Sequence, residues 1–598
     1  MINLGSLLRV PCVEVEMGFD ISPNGDKVAY SWNPDGHWEI YELSLHNPIS
    51  TPRQISRGRG GKFHPQYSPD GRQLAFAVDF DGSENFHLFI HDFSNNTQRE
   101  LAPEMNGAHQ AYFAWSPDNK KIAFISDKTG QFDAYIIPVD GGEARLVLDA
   151  GHPTWKVRWS PDGSMLAVTV EASGIDYGTY VVPLSGGEVL QISDVHGVID
   201  AGQACWSPDS KYLAFSSDTP GFNNIGIYEL ATRRISWLTH GEGEKQFPTW
   251  SPDGTRLVYV LNRGTISWLA IQELGKKADL YRVDAGVHYW PEFTLDGQQI
   301  IFCFDNPRHP SDLWSLSLVE GSFTQLTHSL PEELAEAQFI MPDEITYPGL
   351  DGTPVPALLF NPPVPKPAPA VIIIHGGPDW LFEMTWYPLM ATMASRGWVV
   401  LAPNYRGSTG YGRAWQEASR FDFGGVDTDD VTAGALHLIH RGLTEKMRIG
   451  ITGRSHGGYL TASCMTRYPE LWVAGSAVVP FLNWFTNHKE IRPDLQHWDI
   501  ENFGDPVENH QRWHDHSPSF FMEKICAPLQ LICGGSDVRC PVSDSVQARD
   551  SLQEMGKDVD FILYENEGHI FLNIENVIDS ETRRVNFLAK YLEGSQSK

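Results

Sequence analysis

The feature that most constrains the fold is a short turn phrase that recurs along the first half of the chain. Its usual form is Ser-Pro-Asp-Gly, with an apolar residue before it and a short apolar strand after it. The copies begin at Ser22, Ser68, Ser116, Ser160, Ser207, Ser251 and, in the degenerate form Thr-Leu-Asp-Gly, at Thr294. Proline presets φ, aspartate bonds back to the backbone and glycine takes a positive φ, so each copy predicts a tight hairpin turn.

The spacing of these copies indicates the architecture. Successive copies begin 46, 48, 44, 47, 44 and 43 residues apart, which is the length of a unit of four short strands. A stacked β-solenoid of the hexapeptide type would have a much shorter period. The seven copies therefore predict a seven-bladed β-propeller, whose radial closure leaves few strand edges exposed.

The second half contains a serine at the apex of a glycine-flanked turn. Gly453-Arg-Ser-His-Gly457 has the pattern G-x-S-x-G, in which the glycines let the turn tighten and push the serine hydroxyl out above a sheet edge. The pattern alone is weak evidence in a chain with 54 glycines. Its context supports it, because residues 447–452 predict a strand and residues 459–468 predict a helix. Ser455 is therefore a candidate nucleophile in an α/β-hydrolase domain.

Two further candidates follow Ser455 in the order, aspartate and then histidine, that this fold requires. Residues 529–533 and 560–564 predict buried strands, and Asp537 and His569 lie in the loops just after them. A parallel sheet gathers its functional groups at such strand ends. We expect His569 to take the proton from Ser455, while Asp537 orients the imidazole and stabilises the imidazolium.

An oxyanion formed at a substrate carbonyl needs two backbone N–H donors. One is expected from His456, directly after the nucleophile, and the other from an upstream loop that follows a strand. The apolar run 370–374 predicts that strand, and the loop from His375 to Pro378 contains two glycines that allow close approach to a substrate.

Length and composition agree with two domains. A chain of 598 residues exceeds what one core usually supports, and an apolar content of 41% is typical of globular proteins. The junction is predicted near residues 333–343. Residues 1–335 are therefore assigned to the β-propeller and residues 336–598 to the α/β-hydrolase domain.

Charge and cysteine content limit the partners and the compartment. The net charge of −30 argues against a nucleic-acid partner, which needs basic patches. The N-terminus lacks a basic region followed by an apolar stretch, and no run approaches the roughly 18 apolar residues of a membrane span. Seven scattered cysteines fit reduced, structural thiols in a cytoplasmic protein. Cys526, Cys533 and Cys540 lie seven residues apart, which is not a zinc-ligand spacing.

A group of histidines invites a metal interpretation that we do not adopt. His510 and His514 could share one helix face, with His497 and His516 nearby, but no further type of ligand accompanies them. We predict no metal site, and the acyl-transfer chemistry needs no cofactor.

Taken together, these motifs resemble the prolyl oligopeptidase family of serine peptidases, and most closely its acylaminoacyl-peptidase branch. The resemblance covers essentially the whole chain. It is carried by His375–Pro378, Asn404–Gly412, Gly453–Gly458, Ser536–Pro541 and Glu567–His569. It implies a peptidase for short peptides, with Ser455, Asp537 and His569 as the catalytic triad and an active site enclosed by a propeller that restricts entry.

The resemblance also implies further site residues. The backbone N–H groups of Gly377 and His456 would form the oxyanion hole, and Arg539 would hold a substrate carbonyl. Two departures are visible. His456 replaces the tyrosine that is common after the nucleophile. Residues 534–536, Gly-Gly-Ser, replace a segment before the triad aspartate that usually contains His-Gly. The subfamily's specificity is therefore expected to carry over poorly, and homo-oligomerisation stays open.

Three classes of function remain to be separated. The first is an exopeptidase or oligopeptidase of acylaminoacyl type, with an aminopeptidase, dipeptidyl peptidase or carboxypeptidase of the same family as alternatives. The second is a carboxylesterase that uses the same triad. The third, a non-catalytic propeller interaction module, is disfavoured because a decayed enzyme has no reason to keep all three triad residues.

Overall fold

The computed structural model describes residues 3–47, 51–103, 109–194, 197–198, 200–335, 337 and 339–594. These residues fall into two units. One unit consists of Pro11–Phe80 and Glu84–Pro331. The other consists of Met1–Val10, Asp81–Ser83 and Glu332–Lys598.

The first unit contains seven four-stranded antiparallel sheets, each built from strands that are consecutive in sequence. The first three sheets are β1–β4 (Phe19–Ile21, Lys27–Trp32, Glu39–Ser44, Arg53–Gln54), β5–β8 (Gly61–Tyr67, Gln73–Asp79, His87–Asp92, Thr97–Glu100) and β9–β12 (His109–Trp115, Lys121–Ser126, Asp133–Pro138, Arg145–Leu148). The fourth sheet is β13–β16 (Thr154–Trp159, Met165–Ser173, Asp176–Pro183, Leu190–Gln191), and a small hairpin of β17 (Ser193–Asp194) and β18 (Gly197–Val198) follows it.

The last three sheets complete the propeller. They are β19–β22 (Gly202–Trp206, Tyr212–Ser217, Asn224–Glu229, Arg234–Trp237), β23–β26 (Glu244–Trp250, Arg256–Arg263, Ile266–Glu273, Asp279–Tyr281) and β27–β30 (Val287–Phe293, Gln299–Asn306, His309–Ser317, Phe323–Gln325). Seven sheets confirm the predicted seven blades. Residues of the first and seventh blades share one apolar cluster, which contains Tyr30, Tyr41, Ile301 and Leu313 and closes the ring.

The repeated phrase forms the turn between the first two strands of every blade, as predicted. In six copies the serine or threonine hydroxyl donates to the aspartate two residues later, at 2.6 to 2.8 Å. The same oxygen accepts the N–H of the residue five positions later. Where the final glycine is replaced, Asn119 and Ser210 adopt the same positive φ, at 62° and 60°.

The repeat also links neighbouring blades. The indole N–H of Trp115 donates to the carbonyl of Gln66 in the preceding blade at 3.1 Å. Trp159, Trp206 and Trp250 make the equivalent bond to Ala114, Arg158 and Cys205, at 3.1 to 3.3 Å. The tryptophan before the turn therefore has a structural role that the hairpin prediction did not include.

A ring of residues, one from each blade, lies along the inner strands of the propeller. Each lies four residues before the serine or threonine of its turn: Gly18, His64, Tyr112, Lys156, Gln203, Phe247 and Trp290. Lys156 Nζ lies over the rings of Tyr112 and Trp290, 4.6 and 5.1 Å from their centroids. Phe247 packs on Trp290 with ring centroids 4.5 Å apart. Five of the seven residues line a cavity of about 460 Å³.

The second unit is built around one eight-stranded sheet. Its strands are β31 (Asp343–Pro348), β32 (Pro354–Phe360), β33 (Ala370–Ile374), β34 (Val399–Pro403), β35 (Ile449–Arg454), β36 (Ala474–Val478), β37 (Leu529–Gly534) and β38 (Val559–Tyr564), in the spatial order β31-β32-β34-β33-β35-β36-β37-β38. The first two strands pair antiparallel and the other six run parallel. All four strands expected from the sequence beside the candidate site are present.

The helices of this unit are α1 (Leu4–Leu8), α2 (Glu332–Ala335), α3 (Pro388–Ser395), α4 (Arg413–Gln416), α5 (Val426–His440), α6 (His456–Arg467), α7 (Trp484–Glu490), α8 (Pro493–Phe503), α9 (His510–Asp515), α10 (Val542–Glu554) and α11 (Ile574–Leu592), with 3₁₀ segments at Glu417–Ser419 and Pro518–Lys524. Alternate residues of the buried strands enter two cores. Ile372 packs with α5 and α6 on one face, whereas Ile373 packs with α3 and α11 on the other. A parallel sheet covered on both faces explains its continuous apolar strands.

The first residues differ from the predicted domain division, which assigned 1–335 to the propeller. The structure groups Met1–Val10 with the second unit, because Leu4 is buried in the core with α3 and α11 and Arg9 pairs with Glu575 at 2.8 Å. The predicted junction between 335 and 336 stays a prediction, since residue 336 lies outside the described residues. None of the described helices is both long enough and apolar enough to span a membrane.

Candidate active site

Ser455 occupies a sharp turn between β35 and α6. Its backbone has φ 58° and ψ −124°, and its N–H donates to the carbonyl of Val478 at 2.9 Å. Glycine is required on both sides of this turn. A Cβ on Gly453 would lie 2.2 Å from the carbonyl oxygen of Gly457, and a Cβ on Gly457 would lie 2.3 Å from that of Ile374. The predicted strand, turn and helix around Ser455 are therefore all present.

Asp537 and His569 meet in the loops that follow β37 and β38. His569 Nδ1 lies 2.9 and 3.0 Å from the two carboxylate oxygens of Asp537, and both residues are buried. The backbone N–H groups of Arg539 and Cys540 also donate to Asp537, each at 2.9 Å. An ionised carboxylate only accepts, so Nδ1 carries the proton and Nε2 keeps its lone pair. This tautomer leaves Nε2 able to act as a base.

Glycines bring these two loops together. A Cβ on Gly534 would lie 2.3 Å from the carbonyl oxygen of Gly568, and one on Gly535 would lie 2.6 Å from that of Glu565. The N–H of Ser536 donates to the carbonyl of Glu567 at 2.9 Å. The departure at 534–536 from the usual family pattern thus has a local reason, which is the close contact between the aspartate and histidine loops.

The histidine loop is anchored on its other side by charged groups. The buried Glu567 carboxylate accepts from the N–H of Leu572 at 2.7 Å and from the side chain of Asn576 at 2.6 Å. The Arg454 guanidinium donates to the carbonyl of His569 and lies 5.4 Å from the ring centroid of Phe571. These contacts restrain the position of the His569 ring.

The Ser455 hydroxyl contacts a thiol in this structure. It lies close enough to the Cys540 thiol to influence its pKa, and among the hydrogen bonds of the described residues none joins Ser455 Oγ to the His569 ring. Burial raises the pKa of the Cys540 thiol well above its usual value, the charge of Asp537 raises it further, and the interaction with the Ser455 hydroxyl lowers it. The cysteine spacing predicts only a structural thiol at Cys540. The position of Cys540 three residues after Asp537 is the sequence signal that relates it to this site.

The loop after β33 approaches the serine from the other side. A Cβ on Gly376 would lie 3.3 Å from Ser455 Cβ, and Gly377 has φ 111° before a cis bond to Pro378. Across the described part of the chain, the N–H groups of Gly377 and His456 donate to no protein acceptor. The N–H of His456 is unpaired because this residue begins α6, where no preceding turn supplies a carbonyl.

Two other histidines lie near Ser455 but are engaged elsewhere. His375 Nε2 is 2.8 Å from Ser408 Oγ, its ring stacks on Tyr405 with centroids 4.3 Å apart, and burial lowers its pKa to about 3. The buried side chain of His456 lies 3.2 Å from Asp427 Oδ2. His456 therefore turns its imidazole into the core, while its backbone stays beside Ser455.

Arg539 belongs to the loop that carries Asp537, whereas His510 and His514 pack against aromatic side chains elsewhere. The side chain of Arg539 is exposed, and its N–H binds Asp537. His510 packs on Phe485, whereas His514 stacks on Phe520. Among the described residues, the one group whose potential metal-ligating atoms converge is Asp537, Cys540 and His569, and these atoms lie within 4.8 Å of one another.

Comparison with known proteins relates both units to described families. The prolyl oligopeptidase family model matches residues 386–595, and the TolB β-propeller domain model matches residues 11–193 and 152–338. The uncharacterized peptidase YuxL of Bacillus subtilis is 26% identical, over 84% of this chain and 93% of its own length. Dipeptidyl-peptidase 5 of Porphyromonas gingivalis is 23% identical, over 93% and 91%.

A third relative carries a different activity in its name. Acylamino-acid-releasing enzyme 1 of Oryza sativa subsp. japonica is 25% identical, over 69% of this chain and 54% of its own length. The propeller, the α/β-hydrolase sheet and the two family matches together account for nearly the whole chain. The chain therefore belongs to the prolyl oligopeptidase family of serine peptidases, with a TolB-type β-propeller N-terminal to its peptidase domain.

Proposed function

We propose that this peptidase cleaves short peptides with Ser455 as nucleophile, His569 as general base and acid, and Asp537 as the carboxylate that orients the imidazole. The observation that carries the proposal is the buried Asp537–His569 pair, at 2.9 and 3.0 Å, in loops at the same sheet edge as Ser455. That pair selects the Nε2 base form of the imidazole, and a serine at φ 58° between two obligatory glycines is a typical nucleophile elbow.

The proposed mechanism begins when the Ser455 hydroxyl aligns with His569 Nε2. Catalytic hydrogen bonds are often absent or long before substrate binds, so we expect this one to form in the complex with substrate. His569 then accepts the hydroxyl proton as Ser455 Oγ attacks the carbonyl carbon. The imidazolium returns that proton to the leaving amine, and water hydrolyses the acyl-enzyme by the same route.

We propose that the N–H groups of Gly377 and His456 stabilise the tetrahedral oxyanion. Their lack of a protein acceptor within the described residues supports this, because two pre-oriented donors are available where charge develops. Arg539 is proposed to hold a second substrate carbonyl. Its exposed side chain and its position two residues after Asp537 support that role.

The peptide end that is recognised is the finer part of the proposal. The motifs favour acylaminoacyl peptidase action, and an acylamino-acid-releasing enzyme is among the relatives. A dipeptidyl peptidase matches more of the chain, so a free-amine exopeptidase is the second candidate. We also propose a reducing, cytoplasmic setting, which the seven free cysteines support.

Hydrolysis of a matched set of p-nitroanilides tests this proposal. The set contains a free amino acid, an N-acetyl amino acid, a free dipeptide and a blocked tripeptide, together with a p-nitrophenyl ester. We expect the N-acetyl substrate to be preferred and Ser455→Ala to abolish turnover of every member. Preference for a free amine would transfer the proposal to an aminopeptidase or dipeptidyl peptidase. Turnover of the ester alone would contradict a peptidase.

A further inference from the structure

The thiol of Cys540 lies in the candidate active site but has no step in the proposed mechanism. It is 6% exposed and lies close enough to the Ser455 hydroxyl for the two groups to interact. The backbone N–H of Cys540 donates to Asp537 Oδ1 at 2.9 Å, so one short turn determines the positions of both side chains. The thiol is therefore held beside the nucleophile by the same carboxylate that holds His569.

The three side chains present a coordinating set of one sulfur, one imidazole nitrogen and one carboxylate oxygen. All three residues are buried, and their ligand atoms lie within 4.8 Å of one another. Zinc binds these donor types at about 2.0 to 2.3 Å, which places tetrahedral ligands roughly 3.3 to 3.8 Å apart. The 4.8 Å that encloses the three ligand atoms is wider than this spacing, whereas His569 Nδ1 lies only 2.9 and 3.0 Å from the Asp537 oxygens. Holding an ion therefore requires the His569 ring and the Asp537 carboxylate to reorient around it.

We propose that Asp537, Cys540 and His569 form an inhibitory site for a thiophilic divalent cation such as Zn²⁺ or Cd²⁺. On binding, the Cys540 S–H bond breaks, its proton passes to solvent and the sulfur forms a bond to the metal. Nε2 of His569 carries the lone pair in the tautomer that Asp537 holds, and it donates that lone pair to the same ion. The His569 ring then cannot serve Ser455 as a base. The inhibitory consequence rests on the proposed function, whereas metal binding itself does not.

This site differs from a resident catalytic metal centre. The proposed acyl transfer uses Asp537 and His569 without an ion, and a bound cation would block it. The other thiols provide contrasts. Cys526 is exposed, and Cys533 is buried within β37. We therefore expect sensitivity to thiophilic metals to depend on Cys540 among the seven cysteines.

A binding measurement on the full chain tests the site without relying on catalysis. Ser455→Ala protein, freed of metal with a chelator, is titrated with Cd²⁺ while the ultraviolet thiolate-to-cadmium charge-transfer absorbance is followed. We expect one equivalent to bind, the signal to disappear in Ser455→Ala/Cys540→Ser, and the signal to persist in Ser455→Ala/Cys526→Ser. An unchanged signal after loss of Cys540 would overturn the proposal.

Inhibition of the wild-type peptidase is the second measurement. We expect Zn²⁺ to inhibit hydrolysis reversibly, with release by a chelator. Half-inhibition of Cys540→Ala, measured relative to its own uninhibited rate, should require at least roughly tenfold more Zn²⁺ than half-inhibition of wild type. Cys526→Ser should be inhibited at the same Zn²⁺ concentration as wild type. Cys540→Ser replaces Cys540→Ala if the alanine variant does not fold. Equal inhibition of wild type and the Cys540 variants would overturn the proposal.

The two measurements separate this inference from the proposed function. A chain that hydrolyses peptides through Ser455 but gives no Cd²⁺ signal contradicts the metal site alone. A chain that binds Cd²⁺ through Cys540 but hydrolyses no peptide supports the site and contradicts the peptidase mechanism.

Discussion

At the scale of single residues, the carboxylate of Asp537 accepts hydrogen bonds from three groups: the Nδ1–H of His569 and the N–H groups of Arg539 and Cys540. The first bond orients the imidazole of the proposed base, and the other two hold the turn that carries Arg539 and the Cys540 thiol. The same side chain therefore has a positional role for its own loop and an electrostatic role toward the imidazole. Substitution can separate these two roles.

Asp537→Asn should lower kcat by about 10⁴ while leaving the fold intact. The asparagine carbonyl oxygen can still accept from Arg539 and Cys540, but the amide carries no charge to stabilise an imidazolium and its NH₂ favours the wrong tautomer. Steady-state kinetics on the best p-nitroanilide, with circular dichroism of both proteins, check this. Asp560→Asn on β38 is the matched control, with a change in kcat below threefold expected. A loss below tenfold in Asp537→Asn would contradict the assigned role.

At the scale of elements, the turn phrase explains more than the hairpins it predicts. Five copies end in glycine, and the two exceptions use the side chain of the replacing residue to reach the preceding blade. Asn119 Oδ1 accepts the N–H of Asp70 at 2.9 Å, and Ser210 Oγ accepts the N–H of Asp162 at 3.1 Å. A positive φ costs a non-glycine residue about 1 kcal/mol, and the hydrogen bond returns a similar amount.

The pair Ser210→Gly and Ser210→Ala tests this balance. Glycine loses the bond to Asp162 but also removes the backbone strain, so its free energy of unfolding should stay within about 0.5 kcal/mol of wild type. Alanine loses the bond and keeps the strain, so it should be about 1 kcal/mol less stable. The free energies of unfolding of both variants are measured by urea unfolding, with the fluorescence of the propeller tryptophans as the signal. Equal stability of the two variants would show that the conformation of this turn is unimportant.

The extent of prediction from sequence follows from the range of each interaction. The hairpin turns of the propeller and the turn at Ser455 each depend on residues within a few positions of one another. The repeated turn phrase therefore predicts the seven blades, and the G-x-S-x-G pattern predicts the strand, turn and helix around Ser455. The triad candidates could be ordered because each follows a predicted strand. Interactions between distant residues are not revealed by a local pattern. The indole hydrogen bonds to the preceding blade join residues about 45 positions apart and start from Trp115, Trp159, Trp206 and Trp250. The packing of Leu4 against α11 joins residues more than 500 positions apart.

Cys540 shows a different limit. Its spacing from Cys526 and Cys533 indicates no zinc motif, yet in the structure its thiol converges with the potential ligand atoms of Asp537 and His569. Asp537 is only three residues from Cys540 in sequence, but whether the two side chains meet depends on how the turn folds around the Asp537 carboxylate. Counting cysteine intervals could not predict that arrangement.

At the scale of the whole propeller, the ring of residues that takes one member from each blade places Lys156 against the aromatic side chains of Tyr112 and Trp290. Burial lowers the pKa of Lys156 from 10.5 to about 7, and Arg158 contributes in the same direction. The unfolded chain therefore binds more protons than the native state between pH 7 and 10.5, and wild-type stability should rise with pH across that window. Tyr112 and Trp290 favour the charged form and oppose part of this effect.

Lys156→Met should remove that pH dependence. The variant should be more stable than wild type below about pH 7, where charging costs the native state most, and the difference should shrink toward pH 10.5. Urea unfolding at each pH measures the difference in the free energy of unfolding between the two proteins. Burial raises the pKa of Glu292 to about 7, and the effect of its titration largely cancels in that difference because both proteins contain it. Exposed Lys277→Met is the control, with no change expected. A pH-independent difference would contradict buried charging of Lys156.

Labelling with a fluorophosphonate, which reacts with activated serines, followed by peptide mass spectrometry tests whether Ser455 is a nucleophile that His569 activates. We expect one phosphonyl group per chain, on Ser455, in the wild-type protein, and none on that residue in His569→Ala. Cys526→Ser is the control and should label like wild type. Modification of another residue, or equal labelling of Ser455 without His569, would contradict the assignment of Ser455 and His569 as the nucleophile and its base.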